Sequence, residues 1–160
     1  MSKKEHKTNA ARILSKAGIQ YEQLSCGKPD EFLSGVEVAR LLNEDPQVVY
    51  KTLVTKSNNG SIYVAVIPSD RELDLKKLAK VVGEKKMDMI APSDILKTTG
   101  YVKGGCSPIG MKKSYPTFLH ESALDQPYIY CSAGKRGMQL KLSPEDLAYV
   151  SGGKFENLIK

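Results

Sequence analysis

The sequence has no tryptophan, and only three cysteines, two histidines and three phenylalanines in 160 residues. Cys26, Cys106 and Cys131 are odd in number and widely spaced, with no C-x-x-C pair, so neither a disulfide framework nor a zinc ribbon can be built from them. A reducing cytoplasm is the expected compartment. His6 and His120 show no ligand spacing with the cysteines and H-E-x-x-H is absent, so neither a metal nor another cofactor is expected. No apolar run nears the roughly 18 to 20 residues of a membrane span, and the polar start Met1-Ser2-Lys3-Lys4-Glu5-His6-Lys7 leads into no signal-peptide core. Repeats, low-complexity tracts and Pro/Gly-rich linkers are missing too, and residues 1–160 read as a single domain. The phosphate-loop pattern G-x-x-x-x-G-K-[ST] and a dinucleotide glycine fingerprint are lacking, which disfavours a doubly wound nucleotide-binding sheet.

What is present suits a globular chain, with 41% hydrophobic and 26% charged residues. Lysine and arginine outnumber the acids by 24 to 18, giving net charge +6. That excess fits a polyanionic partner and equally fits plain solubility.

Apolar spacing predicts an opening helix through Ala10, Ile13, Leu14 and Ala17, stopped at Gly18. Ser34 and Glu37 form a capping-box pattern ahead of Val38, Leu41 and Leu42, in a helix expected to end at Pro46. Two β-branched runs, Val48 to Val54 and Ile62 to Ile67, flank Asn58-Asn59-Gly60 and read as a hairpin. Asp74 and Gly83 bracket a helix carrying Leu75, Leu78, Ala79 and Val82. Short strands are expected at Lys86 to Ile90, Thr117 to Leu119, Tyr128 to Ser132 and Met138 to Leu142, and Ser143-Pro144 opens a closing helix. This mixture points to an α+β fold, a mixed sheet or small barrel flanked by helices.

Three segments carry more than scaffold. Lys51 interrupts an apolar strand and shares a face with Val49 and Leu53; it either meets a negative substrate group or guards a strand edge. Thr98 to Gly110 holds four glycines and a proline, which suits either backbone N–H groups brought close to an anion or an ordinary turn-rich connection. Ser132-Ala133-Gly134-Lys135-Arg136-Gly137 is either a charged hairpin loop or part of a site. Cys106 is a poor candidate nucleophile, because neither histidine is placed as its base.

At these segments the chain resembles the YbaK/ProX family of aminoacyl-tRNA editing proteins, and within it the Cys-tRNA(Pro) deacylase branch. The resemblance rests on Val49-Tyr50-Lys51-Thr52-Leu53, Leu73-Asp74-Leu75-Lys76-Lys77-Leu78-Ala79-Lys80, Thr99-Gly100-Tyr101 with Gly104-Gly105-x-Ser107-Pro108-x-Gly110, and Ser132-x-Gly134-Lys135-Arg136-Gly137. It spans about residues 8 to 158. It implies a six- or seven-stranded, mixed β-barrel-like fold flanked by helices, and hydrolysis in trans of Cys-tRNA(Pro) mischarged by prolyl-tRNA synthetase, itself a candidate partner. It implies Lys51 as the catalytic residue. The substrate-binding set it implies is Thr52, Gly104, Gly105, Ser107, Pro108, Gly110, Ser132, Gly134, Lys135, Arg136 and Gly137. In this branch the substrate's own thiol attacks its ester, with backbone N–H groups of Gly104, Gly105 and Gly110 expected to steady the oxyanion. The chain departs from relatives at Ser34, where some carry an aromatic, and near Gln139, where an acid is missing. An Ala-tRNA(Pro) deacylase and a non-catalytic tRNA-binding module are the alternatives.

Overall fold

The structure is a computed structural model describing residues 7–160; residues 1–6, His6 among them, lie outside the described residues. Among the described residues five α-helices and eight strands form an α+β fold. Helix α1 (Asn9–Lys16) starts where the Thr8 hydroxyl accepts the Ala11 N–H at 3.2 Å, and it buries Ala10, Ala11 and Leu14. Strand β1 (Glu22–Ser25) follows. Helix α2 (Gly35–Leu42) carries both halves of its capping box, Glu37 N–H to Ser34 Oγ and Ser34 N–H to Glu37 Oε1. Asn43, in the left-handed conformation at φ 57°, ends α2 before Pro46 is reached. Pro46 instead opens a 3₁₀ turn, Pro46–Val48, that hands over to β2 (Tyr50–Ser57).

Strand β2 turns through Gly60 into β3 (Ile62–Pro68), and the two pair antiparallel from Tyr50↔Pro68 to Lys56↔Ile62. Helix α3 (Leu75–Val82) is capped by Asp74, which accepts two N–H groups, and closed by left-handed Gly83. Then come β4 (Met87–Met89), α4 (Ile95–Thr99), β5 (Thr117–His120), β6 (Ile129–Ser132), β7 (Met138–Leu142), α5 (Pro144–Ser151) and β8 (Lys154–Glu156). The strands form two sheets, β1-β7-β6 and β4-β2-β3-β5-β8, the second mixed because β3, β5 and β8 run parallel.

Two corrections follow. Among the described residues there are eight strands where six or seven were expected, and the two sheets do not close into a barrel, being bridged at Val49↔Tyr130. The apolar faces of the sheets enclose one core, with Val64, Val66 and Leu119 from the large sheet against Ile129, Cys131 and Leu140 from the small one. On the far face of the large sheet, Ala65 and Ile67 pack under Leu78 and Ala79 of α3. All three cysteines are free thiols. Among the described residues no helix is long and apolar enough to cross a membrane, and no cluster of side chains could hold a metal.

His120 ties β5 to the C-terminal segment: its Nδ1 accepts the buried Leu158 N–H at 3.2 Å, which requires a neutral ring. Burial holds its pKa below the ordinary 6.5, helped by Arg71 and Lys77 and opposed by Glu121. The unfolded chain therefore takes up this proton first as pH falls, so His120 contributes stability that is complete above about pH 6.5 and lost below it. Urea midpoints at pH 7.5 and 5.5 should fall further for the wild type than for His120→Asn, which keeps an acceptor but cannot titrate.

Candidate functional site

Strand β2 has a fully paired edge and an interrupted one. On the interrupted edge β6 touches only at Val49↔Tyr130, and β4 begins pairing only at Thr55, with the Ile90 N–H reaching the Val54 carbonyl at 3.2 Å. Backbone groups two residues apart on a strand face the same edge, so the Thr52 N–H and C=O open onto the gap between them. There a cleft of about 410 Å³ is cut into the surface. Lys51, Thr52 and Ile90 line it together with Val38 and Phe32 and with Gly104, Cys106, Ser132 and Gln139.

The strand period places Lys51 as the sequence suggests, on the face of Val49 and Leu53. It is half-buried at the cleft, and its ammonium has no hydrogen bond or ion pair among the described residues. Burial pulls its pKa down, and the fields of Glu72 and Asp70 partly restore it. Two cleft oxygens are buried without a hydrogen-bond partner, Thr52 Oγ1 and Gln139 Oε1. Such atoms cost stability unless a ligand satisfies them.

The glycine-rich segment folds differently from an anion cradle. Thr99 Oγ1 donates to the Ile95 carbonyl and accepts the Tyr101 N–H, while Tyr101 Oη donates to the Ile109 carbonyl at 2.5 Å, so the loop is tied to itself. Of its predicted residues Gly104 alone borders the cleft. The Gly105 N–H is already given to the Val102 carbonyl at 3.0 Å and Gly110 backs onto Ile13 and Asn9 of α1, so neither is placed to hold an oxyanion. Ser107 is fully buried, its Oγ accepting the Ile109 N–H, and Pro108 is buried beside it; both shape the turn from beneath.

From the other loop, Ser132 lines the cleft while Gly134, Lys135, Arg136 and Gly137 stand behind its rim. Gly134 lies against the Tyr101 ring and Gly137 against the Lys28 and Cys26 carbonyls, close approaches that a side chain would block. Arg136 donates through Nε to the Lys103 carbonyl at 2.8 Å and sits 5.4 Å from the centroid of the Phe32 ring, whose edge presses on Gly104. Lys103 lines the cleft, and Arg136, held to its carbonyl, adds a second positive charge beside the mouth, next in the chain to Lys135.

Cys106 lines the cleft, but burial pushes its thiol up to about 11, against a lowering contact from Thr99. His120 is committed to Leu158 and does not line the cleft, so the thiol has no histidine base there among the described residues. Pattern reading missed Phe32 and Ile90 as lining residues and marked Gln139 only as a position where an acid found in relatives is missing. Only Gln139 carried a signal, a polar residue inside an alternating strand.

Fold and cleft together define a mixed α+β domain with a basic-rimmed pocket that suits the anionic end of a larger ligand. Residues 32–149 match the aminoacyl-tRNA editing domain family, and the chain belongs to it. It is 45% identical over 156 residues to a candidate Cys-tRNA(Pro)/Cys-tRNA(Cys) deacylase, EbsC, of Enterococcus faecalis, covering 98% of this chain and 95% of that one. It is also 36% identical over 76 residues to a proline–tRNA ligase of Fervidobacterium nodosum, covering 48% of this chain but 13% of the ligase. The solved structure of a candidate trans-editing enzyme for prolyl-tRNA synthetase superposes with a TM-score of 0.83 at 22% identity, covering 96% of this chain and 98% of the other, a likeness of fold.

At Gly105 an added Cβ would stand 3.0 Å from the Arg136 backbone nitrogen and 3.2 Å from the Lys135 carbonyl carbon. Backbone cannot step aside as a side-chain tip can, so Gly105→Ala should part the two loops. A loss of about 1–3 kcal/mol is expected, read as a lower urea midpoint at unchanged m-value.

Proposed function

We propose that this chain is an aminoacyl-tRNA deacylase acting in trans in the cytoplasm on Cys-tRNA(Pro), with the substrate's own thiol as nucleophile. The observation that supports the reading is the pairing, in one cleft, of an unpartnered Lys51 ammonium with a protein thiol raised to about 11 and left without a histidine base. At neutral pH Cys106 is protonated and a weak attacker. A cysteinyl ester brings a thiol of its own.

In the step proposed, the cysteinyl sulfur bonds to the ester carbonyl carbon, the C–O bond to the terminal ribose breaks, and the thiol proton ends on the departing ribose oxygen. Water then opens the resulting thiolactone to free cysteine. A well-oriented tethered nucleophile can supply about 7–11 kcal/mol of the barrier, so the cleft's task is to hold sulfur and carbonyl together. Lys51 serves as a fixed positive charge near the ribose, the adjoining phosphate or the developing oxyanion. At about 4 Å a unit charge pair is worth about 4 kcal/mol at an effective dielectric near 20, before desolvation. Thr52 adds a strand-edge N–H and a hydroxyl, and Ser132 a further hydroxyl. Gly104 borders the same space, so its N–H is the glycine-loop donor left to the site.

The test is single-turnover deacylation of tRNA(Pro) carrying cysteine, serine, 2-aminobutyrate, alanine or proline. Release of cysteine alone is expected. Equal release of cysteine, serine and 2-aminobutyrate excludes attack by the substrate thiol, release of alanine alone identifies an alanyl editor, and no release identifies a binding module. Lys51→Ala should fold normally and lose most of the cysteine release, whereas near-wild-type turnover would refute its role.

The basic rim supports tRNA as the carrier, through phosphate contacts that orient without reading sequence. Each removed contact to a single-stranded end should reduce the slope of log affinity against log salt by about 0.7. A Lys103→Ala/Lys135→Ala double variant, titrated with tRNA between 50 and 200 mM salt, should therefore show a slope shallower by about 1.4. With no appended tRNA-reading domain evident within these residues, prolyl-tRNA synthetase is the partner proposed to supply tRNA choice.

A further inference from the structure

Gln139 sits in β7 opposite Ser132 of β6 and Leu24 of β1, and it lines the cleft with its Oε1 buried and unpartnered. Its neighbours in β7, Leu140 and Leu142, point into the core, so strand alternation turns Gln139 to the opposite, cleft-side face. Lys51 lies two residues past Val49 of the Val49↔Tyr130 bridge and Ser132 two residues past Tyr130, both line the cleft, and Ser132 is paired with Gln139. Lys51, Ser132 and Gln139 therefore form a row across three neighbouring strands.

The ends of this row differ in kind. Lys51 is a cation that attracts electron-rich groups, and Gln139 offers a buried acceptor that needs a donor. An aminoacyl ester carries both on the two arms of one carbon, a carbonyl with its ester oxygen and an α-ammonium. Like charges repel, so the ammonium belongs at the end away from Lys51. Resting on the deacylase reading above, we propose that Gln139 is the residue that recognises the substrate's α-amine through Oε1, with Ser132 beside it, and so orients the ester toward Lys51. A neutral amide in this place selects the amine by hydrogen bonding, without the ion pair a carboxylate would make.

The experiment compares two non-hydrolysable ligands by calorimetry, 3′-(cysteinylamino)-3′-deoxyadenosine and its 3-mercaptopropionyl counterpart, which keeps the thiol and lacks the amine. Wild-type protein should bind the amine-bearing ligand about 10- to 100-fold more tightly, the usual consequence of leaving a buried acceptor unpaired. Gln139→Leu should bind the two alike, by weakening toward the first and not the second, and Gln139→Glu, of the same size, should retain or widen the preference. Equal binding of both ligands by the wild type, or equal weakening toward both in Gln139→Leu, overturns the assignment and gives the oxygen to a group the ligands share, such as a ribose hydroxyl. Loss of the preference in Gln139→Glu also overturns it. Turnover of Cys-tRNA(Pro) is followed in parallel, so a failed deacylase reading appears as absent hydrolysis with the amine preference still measurable.

Discussion

The incomplete edge of β2 is the constraint on which the site depends. A strand edge left open inside a sheet exposes unpaired N–H and C=O groups, and proteins ordinarily cover such edges with another strand, a helix or a charge. Here β6 is bridged beside β2 at one residue pair, Val49↔Tyr130, while β4 joins only at the opposite end. The interval cannot be filled by backbone, so side chains from remote segments surround it. The result is a cleft whose floor is rigid, because the same residues of β2 are held along their other edge by β3. A strand paired on both sides at this point would leave Lys51 on a sheet surface with nothing to act upon.

The glycines serve that constraint by bringing loops together. Gly104 admits the Phe32 ring, Gly105 lets two backbones touch, Gly134 accepts the Tyr101 ring and Gly137 lies against the carbonyls that follow β1. Each contact draws a loop toward the wall of the cleft, and together they hold Arg136 and Lys103 at its mouth. The basic rim is consequently a product of close packing between loops.

Elements whose signals are local were legible in the sequence. Ser34 with Glu37, Asp74 with Gly83, and Ser143 with Pro144 are hydrogen-bonding devices complete within a few residues, and the structure contains each of them. Strands β1 and β8 and helix α4 were not legible, because Glu22–Ser25, Lys154–Glu156 and Ile95–Thr99 are short and lack a sustained apolar period, and the two strands owe their form to partners far along the chain. The site divided the same way. Lys51, Thr52, Gly104 and Ser132 could be named from their motifs, and all four border the cleft. Gly105, Ser107, Pro108 and Gly110 belong to the same motif but support the wall from behind, a difference between touching a ligand and shaping a loop that spacing does not encode. Phe32 and Ile90 reach the site only through topology.

The dimensions of the cleft bear on how amino acids would be told apart. A space of about 410 Å³, open to solvent at a charged mouth, is larger than any one small side chain requires. Shape alone distinguishes a single methylene by only about 1–3 kcal/mol even in a close-fitting pocket. An editing enzyme that must spare correctly charged tRNA therefore gains little from narrowing such a cleft. The proposed reaction, in which the substrate's own sulfur is the nucleophile, would supply the selection at the chemical step, because serine, alanine and proline lack a thiol however well they fit. On that logic the protein's side chains can remain unreactive, with Cys106 protonated and Lys51 acting as a charge, and the cleft can stay wide enough to admit the end of a nucleic acid.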